Sequence, residues 1–287
     1  MRVLDSHLHL WNPEALRYDW LSGPLERRFA AEELGDERLH GPEQETAVFV
    51  QAGTVAEQHV AEVRWVESIA DAVGVVAIVA GARLDQGAVT EAELNELAGS
   101  ARVVGVRHLL QGERDGLARS AEFVAGARSV ADRGWTFDAC VRQHQIADVT
   151  ALAAAVPELR IVLDHLGKPV IGSVDAPVEP SAAWLGDLRE LAASPQVFCK
   201  VSGLPAESGG VWTDAQVAPF LDAALDSFGA DRLMWGSDWP VSAVDAAASL
   251  PGARDRWFRT VADWAVSRGV DMDGLFWGNG ARFYGIP

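Results

Sequence analysis

Short apolar runs alternate with amphipathic segments along the whole chain, and this alternation limits the folds that the chain can adopt. A run of about four to eight apolar residues is typical of a buried strand, and a longer segment with helical periodicity is typical of a helix packed on a sheet. Eight such units in 287 residues predict an α/β protein with a single closed (β/α)8 barrel, one domain over residues 1–287. The expected strands are 3–10, 46–51, 75–80, 103–108, 135–141, 161–165, 197–202 and 232–235.

Helical patterns and long connections complete this prediction. An open, doubly wound sheet would need a glycine-rich phosphate loop after its first strand, and HLHLWNP contains no glycine. The connections 11–45 and 167–180 are long enough to suggest a functional role, and the first is expected to fold over the barrel mouth. The expected helices are 55–73, 91–100, 121–133, 146–156, 182–193, 214–228, 253–268 and 273–283.

Composition excludes several classes of partner. The net charge of −17 makes nucleic acid an unlikely partner, because a phosphate backbone is bound by clustered lysine and arginine. No apolar run is long enough to span a membrane, and the start of the chain does not resemble a secretory signal. Cys140 and Cys199 lie within apolar runs and are expected to be reduced thiols of a cytoplasmic protein. The sequence leaves open whether copies of the chain form a homo-oligomer.

The segment 5–11, DSHLHLW, contains the clearest sign of a site. Side chains of a strand alternate between its faces, so His7 and His9 should point the same way, while Leu8 and Leu10 pack on the other side. An imidazole is costly to bury without a partner. Two of them at the end of a first strand therefore predict a site for a metal or for a developing negative charge.

Two further candidates lie at the ends of later strands, where the reactive groups of such barrels are found. His165 ends the sixth run, and alternation from Leu163 turns it into the barrel and turns Asp164 away. Asp238 follows the eighth run in the sequence GSDWP. Because the eighth strand is a neighbour of the first in a closed barrel, Asp238 should lie beside His7 and His9.

Substrate contacts are predicted for four residues near the same end of the barrel. Arg107 could bind a carboxylate or hydroxyl groups through its two-pronged guanidinium, or could form a structural ion pair. Lys200, one of only two lysines in the chain, could bind substrate or pair with a neighbouring carboxylate. Gln51 and Trp239 are predicted to line the pocket. The sequence assigns no role to His108 or His144.

Six segments, spread in order over nearly the whole chain, resemble the amidohydrolase superfamily: DSHLHLW, GVRH, VLDHLGKP, CKVSGL, MWGSDWP and WGNGARFYG. The similar branch consists of TIM-barrel lactonases, including L-fuconolactonase and the pyrone-dicarboxylate and sulfomuconolactone lactonases. DHLGKP followed by GSDWP is a fairly specific combination. The resemblance implies a barrel of the metal-dependent-hydrolase type and a carboxylic ester hydrolase of carbohydrate metabolism.

The resemblance also implies roles for matching residues. Asp238 would activate the attacking water, and His7, His9 and His165 would polarise the lactone carbonyl. Many members hold two metals bridged by a lysine on the fourth strand, but VVGVRH has no lysine there. One Zn²⁺ on His7, His9 and Asp238 would fit three ligands and an open position for water. The sequence leaves open whether such a metal is present or catalysis is metal-independent.

The leading hypothesis is therefore a hydrolase that opens a small lactone, in particular a sugar-derived 1,4- or 1,5-lactone, with Asp238 as the base. A metal-dependent decarboxylase of an aromatic or dienoic acid is the alternative, because related barrels with similar motifs catalyse that reaction. A carbohydrate-binding barrel without catalytic activity is a third hypothesis. It is disfavoured because all four positions that carry the chemistry are filled.

Overall fold

Eight parallel strands form one sheet in chain order, each paired with the next along the sequence. The computed structural model describes residues 1–244 and 250–287. The predicted (β/α)8 barrel is confirmed. Its strands are β1 Arg2–Leu8, β2 Gln44–Val50, β3 Val75–Gly81, β4 Val103–His108, β5 Thr136–Ala139, β6 Arg160–Leu163, β7 Val197–Val201 and β8 Leu233–Trp235.

Contacts between β1 and the end of β8 bring the two edges of the sheet together. Leu8 and Trp239 form a parallel bridge. The His9 amide donates to the Trp239 carbonyl, and the Asp238 amide donates to the His7 carbonyl, each at 2.8 Å. The Ser6 hydroxyl donates to the Trp235 carbonyl at 2.6 Å. These bonds close the barrel at the end where the strands terminate.

Helices follow the strands and cover the outside of the barrel. The α-helices are α1 Ala31–Gly35, α2 His59–Val73, α3 Ala88–Leu97, α4 Ala121–Asp132, α5 Ile146–Ala155, α6 Ala182–Ala192, α7 Leu204–Glu207, α8 Asp214–Phe228, α9 Ala253–Arg268 and α10 Asn279–Tyr284. Short 3-10 helices span Gly23–Leu25, Ala56–Gln58, Leu110–Gly112, Leu117–Arg119, Gln143–Gln145, Asp164–Gly167, Ala230–Arg232 and Val241–Ala243, and a π-helix spans Gly274–Gly278. A hairpin joins Gly172–Ser173 to Ala176–Pro177.

Alternate strand residues divide the apolar core into two clusters. Val48 and Val50 belong to the smaller cluster, whereas Phe49 between them belongs to the larger one. The smaller cluster also contains Phe283 and Tyr284 of α10, so the last helix contributes to the same packing layer. Among the helices of residues 1–244 and 250–287, none combines the length and apolar character that crossing a bilayer requires.

Five strands, β1, β2, β5, β6 and β7, end one or two residues earlier than expected. The first expected strand runs to residue 10, but β1 ends at Leu8. The sixth was expected to run to residue 165, but β6 ends at Leu163 because His165 and Leu166 have φ of 54° and 53°. Such left-handed backbone cannot continue a strand. The change of direction after β6 decides which side chains reach the barrel mouth.

Candidate active site at the barrel mouth

His7 and His9 present their rings to the same point, as predicted. Their Nε2 atoms lie 3.1 Å apart, and both side chains are buried. His9 Nδ1 lies 2.8 Å from the Val50 carbonyl oxygen. A carbonyl can only accept, so His9 carries a proton on Nδ1 and, when neutral, has a lone pair on Nε2.

Asp238 reaches this point from the eighth strand. Its Oδ1 lies 3.4 Å from His9 Nε2, 3.8 Å from His7 Nε2 and 3.7 Å from His165 Nε2. Its other oxygen, Oδ2, accepts a hydrogen bond from the Ser242 hydroxyl at 2.8 Å. The backbone at Asp238 is left-handed, with φ of 55°. The four residues predicted to carry the chemistry therefore meet around one carboxylate oxygen.

A glycine makes room for His165. A Cβ on Gly203 would lie 2.5 Å from Cγ and Nδ1 of the His165 ring, closer than atoms can approach, and Gly203 also has φ of 72°. His165 Nδ1 lies 2.9 Å from the Ser202 hydroxyl. The chain after β7 thus fixes the imidazole that follows β6.

The prediction that Asp164 points away from the barrel is wrong. Its Oδ1 lies 3.3 Å from His7 Nδ1 and 3.1 Å from Lys200 Nζ, and its Oδ2 accepts from Arg107 at 3.2 Å. The alternation argument assumed a strand through residue 165, whereas β6 ends at Leu163 and a 3-10 helix begins at Asp164. Asp164 and His165 therefore both face the site.

A layer of buried charges lies directly beneath His7. Lys200 Nζ contacts Asp138 Oδ2 at 2.5 Å, Asp164 Oδ1 at 3.1 Å and His7 Nδ1 at 2.9 Å. The Tyr284 hydroxyl donates to Asp138 Oδ2 at 2.9 Å. The ammonium donates hydrogen bonds to Asp138 and His7 and forms an ion pair with Asp164, and such partners are the condition for keeping a charge in a barrel interior.

Burial sets the protonation of the site. It lowers the pKa of His7 well below its ordinary value, with the Lys200 charge adding to the effect, and it lowers the pKa of His165 to about 4 against the pull of Asp238. Burial likewise lowers the pKa of His9. Burial alone would raise the pKa of Asp238, but the facing imidazoles, His165 foremost, hold it well below its usual range. At neutral pH a carboxylate therefore faces three neutral imidazoles.

A cavity of about 240 Å³ opens onto this carboxylate. Three of the four residues predicted to carry the chemistry, His9, His165 and Asp238, line it. The lining residues are His9, Trp20, Ala52, Arg107, Leu109, Gln111, Cys140, His165, Lys168, Gly203, Ala206, Glu207, Asp238 and Val241.

Of the four predicted substrate contacts, Arg107 lines the cavity, where it pairs with Asp164 and donates to the Gln51 carbonyl at 2.5 Å. Gln51, Lys200 and Trp239 are buried just behind the lining residues and contact the protein itself. Their contact with substrate stays a prediction. Neither of the two histidines left without a role lines the cavity: His108 lies near Glu113, and His144 lies near Asp115.

Among the other lining residues, Lys168 and Glu207 were not predicted from the sequence, whereas Trp20 is one of the loop tryptophans for which the sequence allows either pocket lining or loop packing. Lys168 belongs to the segment DHLGKP, and Glu207 follows β7, so position after a strand end could have identified both. Trp20 lies on the long connection after β1, which was expected to cover the mouth. Which of its side chains reaches the cavity depends on the path of that connection.

The residues present fit one divalent metal ion. His7, His9 and Asp238 each offer a ligand atom, and these atoms lie within 4.8 Å of one another. His9 directs its Nε2 lone pair at the group while its Nδ1 proton is held by the Val50 carbonyl. Histidines that bind a metal through one ring nitrogen usually donate the proton of the other nitrogen to a carbonyl or carboxylate, as His9 does here. The three residues could hold a zinc ion with a position open to the cavity.

Comparison with known proteins places this site in a family. The model of a family described as Amidohydrolase matches residues 4–286. An L-fucono-1,5-lactonase of Burkholderia multivorans is 33% identical over 300 residues, which are 99% of this chain and 96% of that protein. The crystal structure of an amidohydrolase from Burkholderia multivorans with bound zinc superposes with a TM-score of 0.83 at 31% identity, over 100% of both chains.

A 2,6-dihydroxybenzoate decarboxylase from Rhizobium has a TM-score of 0.60 at 17% identity, covering 100% of this chain and 99% of that one, and shares the fold alone. The family match covers nearly the whole chain, and its relatives align from end to end. The predicted resemblance is confirmed: the chain belongs to the amidohydrolase family.

Proposed function

We propose that this protein is a hydrolase that opens a small lactone, in particular a sugar-derived 1,4- or 1,5-lactone. One observation carries the proposal: Asp238 Oδ1 lies within 3.8 Å of the Nε2 atoms of His7, His9 and His165, and Asp238, His9 and His165 line one cavity. A carboxylate can take a proton from water, and a neighbouring imidazole N–H group can stabilise the negative charge that then develops on the carbonyl oxygen. The L-fucono-1,5-lactonase that resembles this chain supports the same reaction.

In the proposed reaction, Asp238 accepts a proton from a water molecule as the water oxygen bonds to the lactone carbonyl carbon. The tetrahedral intermediate then breaks its ring C–O bond. The leaving alkoxide takes up the proton that Asp238 received, and the product is a hydroxy acid. A positioned oxyanion donor contributes on the order of 3 kcal/mol to such a reaction.

Hydrogen bonding selects the oxyanion donor among the imidazoles. His9 Nε2 carries no proton, since its single proton lies on Nδ1. The nearest partner of His7 Nδ1 is Lys200 Nζ, at 2.9 Å against 3.3 Å for Asp164, and an ammonium only donates. This contact would place the His7 proton on Nε2, but Arg107 Nη1, which also only donates, lies 3.3 Å from that atom, and His7 does not line the cavity.

His165 does line the cavity, and its Nδ1 can accept from the Ser202 hydroxyl, which leaves its proton on Nε2. His165 is therefore the proposed donor to the carbonyl oxygen.

A divalent ion, when bound by His7, His9 and Asp238, would polarise the carbonyl and lower the pKa of a bound water to roughly 7. To bind through Nε2, His7 must carry its proton on Nδ1, where Asp164 Oδ1 can accept it. Asp164 and Lys200 therefore support different tautomers of one histidine.

The test of this function is a panel of lactones, followed by acid release with a pH indicator, with and without exhaustive chelation. We expect opening of neutral sugar lactones well above the buffer rate. An enzyme that opens no lactone in either condition contradicts the proposal. Release of CO₂ from 2,6-dihydroxybenzoate is measured in parallel, because the decarboxylase alternative predicts it. No observation at the site favours that alternative.

We also propose that the enzyme acts in the cytoplasm and binds no nucleic acid. The net charge of −17 and the two buried, unpaired cysteines support this. Whether copies of the chain form a homo-oligomer is measured by sedimentation of the purified protein.

A further inference from the structure

The wall of the cavity has one apolar side that the proposed chemistry does not use. Trp20, Ala52 and Leu109 line the cavity, and an atom added to Gly53 would touch both Trp20 and Leu109. Trp20 is 41% exposed, although most tryptophans of the described residues are buried. An exposed aromatic ring at a cavity edge is a surface available to a ligand.

The indole of Trp20 is fixed in place. Its Nε1 donates to the Ala52 carbonyl at 2.8 Å, and its ring meets the ring of Trp11 edge-on, with centroids 5.4 Å apart. A Cβ on Gly53 would lie 3.0 Å from Trp20 Nε1, so the absence of a side chain lets the ring approach the loop after β2. A ring held in this way loses little freedom when a ligand packs on it.

Charges along the lining balance one another. Lys168 Nζ lies 4.0 Å from Glu207 Oε1, and Arg107 already pairs with Asp164. Among the described residues that line the cavity, these are the two cations with fixed charge, against the carboxylates of Glu207 and Asp238. Residues 245–249 contain no lysine or arginine. A carboxylate on a substrate would therefore meet Glu207 beside Lys168 and Asp164 beside Arg107, so each cation of this lining already has an anion next to it.

We infer that Trp20, Lys168 and Glu207 set the preference of this site for the neutral sugar lactone of the proposed function. The C–H face of the lactone packs on Trp20, and its hydroxyl groups bond to Lys168 and Glu207. The inference rests on the proposed function and names the residues that recognise its substrate. Ring C–H bonds carry partial positive charge and suit the negative face of an indole. Hydroxyl groups can both donate and accept, so they can bond to a cation and a carboxylate that lie side by side. A lactone with two carboxylates fits neither feature.

Steady-state kinetics of wild type and Trp20→Ala tests the inference. The substrates are L-fucono-1,5-lactone, unsubstituted δ-valerolactone and 2-pyrone-4,6-dicarboxylate. We expect wild type to prefer the sugar lactone to the dicarboxylate. In Trp20→Ala the KM for the sugar lactone should rise about tenfold relative to the KM for δ-valerolactone, with the larger effect on KM than on kcat. Trp20→Phe should keep most of the sugar preference.

Trp277→Ala is the matched control, because Trp277 is a partly buried tryptophan beside Arg2 at the start of β1. It should leave the ratio of KM values unchanged. Melting temperatures show whether each variant is folded. An equal rise in KM of Trp20→Ala for the sugar lactone and for δ-valerolactone would overturn the inference. A preference of wild type for the dicarboxylate would overturn it as well.

Equilibrium binding separates this inference from the proposed reaction. A sugar 1,5-lactam has the same hydroxyl groups as the lactone but resists hydrolysis, and its binding is followed by calorimetry. We expect wild type to bind the lactam about tenfold more tightly than Trp20→Ala does. Equal affinities, or no binding to wild type, overturn the inference. If the enzyme binds the lactam but opens no lactone, the proposed reaction is contradicted, whereas the inferred sugar-binding site is supported.

Discussion

Individual buried side chains at this barrel mouth owe their charge state to their neighbours. Asp238 stays ionised because three imidazoles face it, and Lys200 stays buried because it donates to Asp138 and His7 and pairs with Asp164. His7 lies between Lys200 on one side and His9 on the other. The chemistry proposed for the site therefore depends on contacts behind the cavity wall as much as on the wall itself.

Glu62 on α2 is a buried carboxyl without such support. Its Oε1 accepts from the Ala52 amide at 3.0 Å, whereas Oε2 has no hydrogen-bond partner among the described residues. Burial raises the pKa of Glu62 to about 7. A carboxyl whose pKa is raised on folding destabilises the protein as pH rises from the unfolded pKa to the folded one, here from about 4.5 to about 7.

Glu62→Gln should remove this pH-dependent cost while keeping the acceptor for Ala52. We expect the variant to be more stable than wild type at pH 8, by on the order of 1 to 3 kcal/mol, and the gain to shrink towards pH 5. Urea unfolding of both proteins at the two pH values measures the difference. A gain that is the same at both values contradicts the assigned shift.

Among the elements, strands were easier to predict than their ends. All eight strands follow from apolar runs between helical patterns, because burial of a parallel sheet on both faces leaves that pattern in the sequence. The end of β6 did not follow, because the left-handed backbone at His165 depends on Ser202 and Gly203 of a distant segment. Alternation was reliable for His7 and His9 and misleading for Asp164.

Helix packing offers a test with two glycines. A Cβ on Gly126 of α4 would lie 2.1 Å from the Leu84 carbonyl oxygen, whereas a Cβ on Gly186 of α6 would meet nothing within 4 Å. Helix propensity favours alanine at both positions by about 1 kcal/mol. The close approach of α4 to the loop after β3 should instead make alanine destabilising at position 126.

We expect Gly186→Ala to raise the free energy of unfolding by about 0.5 to 1 kcal/mol, and Gly126→Ala to lower it by about 1 to 3 kcal/mol. Denaturant unfolding of the two variants and wild type measures both changes. If the two substitutions shift stability in the same direction, α4 does not pack against the loop after β3 as closely as described.

At the scale of the whole molecule, one buried ion pair ties the two edges of the barrel together. Arg254 of α9 donates to Asp5 Oδ2 at 2.8 Å and also binds Glu45. Asp5 Oδ1 accepts from the Ser237 amide at 2.8 Å. The first strand, the loop after the eighth strand and the last long helix thus share one carboxylate, two residues before His7.

Arg254→Met should leave Asp5 buried without its cation and lower the free energy of unfolding by about 3 to 5 kcal/mol. Arg259→Met is the matched control on the same helix, because Arg259 is exposed and its pair with Asp255 should contribute about 1 kcal/mol or less. Urea unfolding distinguishes them. Similar losses for the two variants would mean that the Asp5 pair does not hold the barrel closed.

The barrel and its four central residues could be predicted because closure of the fold brings strand ends together wherever the loops run. The side chains of the cavity wall could not be predicted in this way. Trp20 reaches the cavity through a bond to Ala52, and Lys168 meets Glu207 from a different loop. Such contacts between loops leave no periodic pattern, so sequence alone indicated the reaction class more firmly than the substrate.

The central claim is that Asp238 activates water at this site, and kcat of Asp238→Asn tests it most directly. Asparagine keeps the shape of the side chain but cannot take the proton. With an unchanged melting temperature, kcat for a sugar lactone should fall by about a hundredfold to ten-thousandfold, while Asp226→Asn on the exposed face of α8 keeps the wild-type rate. A folded Asp238→Asn enzyme with near-normal turnover would contradict the account.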